Sequence, residues 1–66
     1  MSVGEKIRQI RIKQKISQYE LAYKTKSKLN QSQISKIEKG SRKVTDKDLF
    51  IFAKALAVPV EELIKK

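Results

Sequence analysis

The chemistry most readily read from this chain lies in Gln31, Ser32 and Lys36. A Gln amide can pair bidentately with adenine N6 and N7, and a Lys ammonium can donate to guanine O6 and N7. A Ser hydroxyl makes a shorter contact to either base. The spacing puts these groups on one surface. On a wheel of about 100° per residue with Ile34 at the origin, Ser32 falls at about 160° and Lys36 at about 200°. Gln31 projects from the exposed first turn. Ile34 and Ile37 share the opposite face and bury it, and Ser35 flanks the outward one. That outward face is polar, slender and free of acid, as a helix entering a DNA major groove must be. On a protein of balanced charge the same face would read as ordinary solvated helix.

The charge is not balanced. The chain has 66 residues with 16 Lys and Arg against 7 Asp and Glu, a net charge of +9. The segment 1–44 holds twelve of the basic and three of the acidic residues, while 45–66 is neutral. A lopsided basic domain implies a polyanionic partner, nucleic acid or an anionic surface. With no Cys and no His, disulfides, thiolate metal sites and the commonest general base are excluded. Neither an enzyme nor a cofactor is expected, and no small-molecule ligand is evident. The start MSVGEK carries no long apolar run, so no signal peptide is expected. The apolar stretch from Leu49 to Val60 is interrupted by Lys54 and is too short for a bilayer. The reading is a cytoplasmic protein with no membrane partner.

The elements that must position these side chains are all helical. Apolar residues recur at three and four: Val3, Ile7 and Ile10; Leu21 and Ala22; Ile34 and Ile37; Leu49, Phe52, Ala53 and Leu56; Val60, Leu63 and Ile64. Four capping boxes open the first four stripes, pairing Ser2 with Glu5, Ser17 with Glu20, Asn30 with Gln33 and Thr45 with Asp48. The last three add hydrophobic staples: Ile16 with Leu21, Leu29 with Ile34, and Val44 with Leu49. Pro59 suits the start of a fifth helix. Helices are predicted at about 2–14, 17–25, 30–38, 45–56 and 60–65, in one domain spanning 1–66.

The pattern Ser17-Gln18, Glu20-Leu21-Ala22, Ile34-Ser35, Ile37-Glu38 and Gly40, followed by Ala53-Lys54-Ala55-Leu56 and Val58, resembles the Cro/CI (XRE) family of phage and bacterial repressors. The resemblance runs from about Val3 to Ile64. It implies an all-α, compact five-helix fold like that of the lambda repressor, with a helix-turn-helix over 17–38. It also implies base reading by the residues matching Gln31, Ser32 and Lys36. Gln18 is expected to meet a phosphate through its backbone N–H at a helix N-terminus, and, by the resemblance, to bridge to Gln31. Lys39, Ser41, Arg42 and Lys43 resemble the family's backbone-phosphate contacts, and Ser35, flanking the outward face, is expected to bind phosphate as well. Lys28, with Lys24 and Lys26, lines the turn and is expected to add to them. The family pairs the positions of Arg11 and Glu38 in a largely buried salt bridge, which implies a structural role here.

Two departures stand out. The segment from Ala22 to Ile34 is two residues longer than is usual for the family and lacks its turn glycine. Lys15 stands where glycine normally ends the first helix, which would force a lysine to positive φ. Ile12 is expected to be a lone exposed apolar residue.

The functional expectation is a sequence-specific regulator of transcription, a repressor that binds double-stranded DNA. One short helix reads too few base pairs to be specific alone, so a homodimer on a palindromic operator is expected. Its surface would be Ala57, Val58, Pro59, Val60, Leu63 and Ile64, residues that could instead close the monomer core. The alternative is an antitoxin-type or other protein-binding module of the same fold. Such proteins often carry a separate partner-binding segment, for which this chain leaves little room. An RNA-binding or architectural protein acting by charge would not need the pairing of Gln18 with Gln31.

Overall fold

The first four helices of the chain each start where a side chain accepts from a free backbone N–H. The computed structural model describes residues 2–64, which form α1 (Val3–Lys13), α2 (Gln18–Lys24), α3 (Gln31–Lys39), α4 (Asp46–Leu56) and α5 (Val60–Ile64). No strand occurs among the described residues. The predicted spans agree to within a residue or two. Most of the difference lies in the caps, because Ser17, Asn30 and Thr45 sit at N-caps in extended conformation. Lys65 of the predicted fifth helix lies outside the described residues. Reciprocal capping boxes close at Ser17 with Glu20, Asn30 with Gln33 and Thr45 with Asp48. Each such cap is worth about 1 kcal/mol. The fourth predicted box is only half formed. Ser2 Oγ accepts from the Glu5 N–H at 3.2 Å, but the Glu5 carboxylate turns to the Ser2 hydroxyl instead of its backbone.

The first four helices end alike. After each, one residue turns left-handed and the chain makes a 6→1 hydrogen bond behind it, the Schellman motif. The bonds run from Ile16 N–H to Arg11 O, Ser27 N–H to Ala22 O, Ser41 N–H to Lys36 O and Val58 N–H to Ala53 O, at 2.8–3.3 Å. The left-handed residues are Lys15 (φ 60°), Lys26 (φ 58°), Gly40 (φ 82°) and Ala57 (φ 57°). Only at Gly40 is this conformation free of Cβ strain. Ser27 (φ 62°) is left-handed as well, so the turn between α2 and α3 holds two such residues in succession.

Thr25 closes that turn in place of the missing glycine. It is buried; its hydroxyl donates to Ala22 O at 2.6 Å and accepts from the Leu29 N–H at 3.3 Å. Leu29 is thereby set into the core beside Leu21 and Ile34, along with Ile7, Ile37, Phe52, Leu56 and Leu63. α1 lies directly against α3. Gly4 is buried there, and a Cβ on it would collide with the carbonyl oxygen of Ile37. At the other end of α1, Gln14 Nε2 donates to Leu56 O at 2.7 Å and satisfies a carbonyl at the end of α4.

Candidate nucleic-acid interface

α3 is polar outward and apolar inward. Ile34 and Ile37 are buried, while Ser32, Lys36 and Lys39 are exposed and Gln31 and Ser35 half-buried. No acidic residue lies in its first turn.

Behind that face a chain of four side chains fixes Gln31. Arg11 donates through Nε to Glu38 Oε2 at 2.7 Å and through Nη2 to Oε1 at 3.0 Å, the bidentate fork of a strong ion pair. Its Nη1 binds Ile16 O at 2.9 Å, which ties in the linker between α1 and α2. Glu38 Oε1 also accepts from Gln18 Nε2 at 3.1 Å, and Gln18 Oε1 accepts from Gln31 Nε2 at 2.6 Å. A carboxylate only accepts, so the Gln18 amide must turn its NH2 to Glu38 and its oxygen to Gln31. Gln31 must answer with N–H. One N–H and the carbonyl of Gln31 remain, the pair that matches adenine N7 and N6. The buried ion pair thus sets the orientation of the half-buried Gln31 amide.

The cationic groups surround α3 unevenly. A shallow depression of about 330 Å³ brings Arg8, Arg11, Gln18, Ser35, Glu38 and Lys39 together. Arg8, exposed on α1 one turn before Arg11, belongs to none of the motifs of the sequence. Its spacing of three from Arg11 on one helix face was the available signal. Ser41 and Lys43 are exposed beyond Gly40. Arg42 is turned back: Nη2 lies 3.9 Å from the buried Asp48 carboxylate, and Nη1 is buried with no partner. To meet a phosphate it would have to leave Asp48. Lys24 at the end of α2 and Lys26 and Lys28 on the turn are exposed and do not line the depression.

One expectation is corrected. Leu63 was placed on a dimer surface but is 1% exposed and belongs to the core. Its side chain faces inward on α5, where burial is worth about 2 kcal/mol. Ala57, Pro59 and Ile64 are exposed, with Val58 and Val60 half-buried.

The model of the Helix-turn-helix family matches residues 7–63. The chain belongs to the Cro/CI-type (XRE) helix-turn-helix family. No curated protein and no solved structure was found to match it. The helix-turn-helix domain therefore has the five-helix, lambda-repressor-like architecture of DNA-binding transcription regulators. α2 and α3 are its two signature helices, and the lengthened turn between them leaves the Gln18–Gln31 bridge in place. No helix among the described residues is long and apolar enough to cross a membrane.

Proposed function

We propose that this helix-turn-helix domain is a repressor that binds a palindromic operator as a homodimer, with α3 in the major groove. The observation that carries the reading is the hydrogen-bonded chain from Arg11 through Glu38 and Gln18 to Gln31. A protein binding by charge alone has no use for an amide held in one orientation. Gln31 reads adenine, Lys36 reads guanine, and Ser32 adds a contact beside them. Lys39, Lys43, Ser41 and Ser35 hold the phosphates of one flank, joined by Arg8 and by the backbone N–H of Gln18. Arg42 contributes after release from Asp48, and Lys28 holds the strand beside the turn. Val58, Pro59, Val60 and Ile64 form the two-fold contact, which spaces the half-sites about one helical turn apart.

Selection of bound sequences from random duplex DNA tests this. The expected product is an inverted repeat with an A·T pair specified by Gln31 in each half. The Gln31→Ala variant should lose preference at that pair alone, at about 1–3 kcal/mol per half-site. A selection that returns no common sequence would refute base reading. A single protomer per operator by light scattering would refute the dimer.

A further inference from the structure

Three of the four aromatic residues of this chain lie on the surface: Tyr19, Tyr23 and Phe50, at 77%, 82% and 66% exposure. Tyrosine carries a hydroxyl that suits it to water. Phe50 has no polar atom, and it is not an isolated apolar point. It borders a groove of about 410 Å³ between α4 and the turn after α2, with half-buried Ile51 and Ala55 beside it and buried Thr25 below. Lys24, Lys26, Lys28 and Lys54 form the rim, and none of the lining residues is acidic. On α4 the aromatic ring thus sits on one exposed face with Lys54 and, one turn earlier, Lys47.

The wall of this groove is the lengthened turn. Lys26 stands there at φ 58°, where glycine would be relaxed. A strained backbone that carries a rim cation is a reason to look for a role at the rim. The groove is also distinct from the depression lined by Arg8, Ser35 and Lys39. A phosphate backbone would satisfy the lysines but offers no apolar knob for the floor.

We propose that this groove docks an acidic segment of a partner protein, with one large apolar side chain seated against Phe50, Ile51 and Ala55 and carboxylates on either side meeting the lysines. Charge complementarity selects the partner, and the apolar floor adds a contact that a phosphate backbone does not supply. The domain then has two binding faces, one for DNA and one for a protein. Lys28 belongs to both, so the partner and the operator draw on one common cation.

Random-peptide display on the immobilised 66-residue chain tests the proposal. The expected motif is a single large apolar residue flanked by Asp or Glu. Phe50→Ser and Lys54→Glu should each weaken the selected peptide about tenfold. Both positions are exposed, so folding should persist, checked by the melting temperature. Operator affinity of Phe50→Ser should equal the parent's, which separates this groove from the DNA face. Lys26→Gly should raise the melting temperature and still weaken the peptide. The proposal is overturned if no such motif emerges, or if the peptide binds Phe50→Ser as well as the parent. It is overturned equally if NMR shifts from the peptide map to Arg8 and Lys39, or if a short single-stranded oligonucleotide displaces the peptide from the Phe50 ring.

Discussion

Glu38 accepts three hydrogen bonds, two from Arg11 and one from Gln18, and is 7% exposed. Its removal strands a guanidinium whose side chain is 12% exposed. An ion left without its partner in such a place costs about 3–5 kcal/mol. Glu38→Ala is therefore expected to destabilise the domain by about 3 kcal/mol in chemical denaturation. The Arg11→Met, Glu38→Leu double variant should be far less damaged, because no charge remains buried. Yet the double variant should still lose preference at the Gln31 base pair, since Gln18 is no longer oriented. A double variant that kept full specificity would show that the four side chains do not act as a chain. At this scale the sequence was informative about partners but not about attitude. Gln18, Gln31, Arg11 and Glu38 are legible because their types and spacing resemble a known pattern. The retreat of Arg42 onto Asp48 has no such signature, since it depends on how the loop after Gly40 folds back on α4.

The helix starts were the most legible elements, because a capping box is a local agreement between residues three apart. Thr45 and Asp48 need no knowledge of the rest of the chain to find each other. Non-local events were hidden. Leu63 and Ile64 read alike along the chain, yet only Leu63 meets the core, and Gly4 gave no sign that α3 passes against it. Gly4 yields a prediction in which two effects oppose. Alanine is the better helix former by about 1 kcal/mol. Its methyl group, however, would meet the backbone carbonyl of Ile37, which cannot rotate away. Forcing two helices apart typically costs up to about 3 kcal/mol. Gly4→Ala should accordingly lower the melting temperature by roughly 5–15 °C, measured by circular dichroism. A rise would mean that α1 and α3 are not in this close contact.

For the molecule as a whole, the charge map decides how affinity responds to salt. Cations of 1–44 gather in two regions, Arg8, Arg11 and Lys39 beside α3 and Lys24, Lys26 and Lys28 around the turn, where Lys54 of α4 joins them. Each phosphate contact releases about one counterion. Lys39→Ala and Arg8→Ala should each weaken binding to every duplex alike and flatten the slope of log K against log salt by roughly one unit per protomer. Lys54→Ala should leave that slope unchanged. These three titrations separate the two cationic regions without any knowledge of the operator. The same distribution was visible as a number in the sequence, but its division into two faces was not, because it follows from which way the turn after α2 projects.

The glycine-free helix ends have a consequence for lifetime. Lys15, Lys26 and Ala57 each hold a backbone that disfavours a side chain by about 1 kcal/mol. Together they raise the unfolded fraction by roughly a hundredfold, in a domain too small to have stability in excess. Proteases act on that fraction. Glycine at all three positions should lengthen survival in a limited-proteolysis assay by up to the same factor. An unchanged half-life would show that these ends do not govern opening. The steady level of such a regulator, and so the occupancy of its site, is then tied to how quickly the chain is destroyed as well as to how tightly it binds.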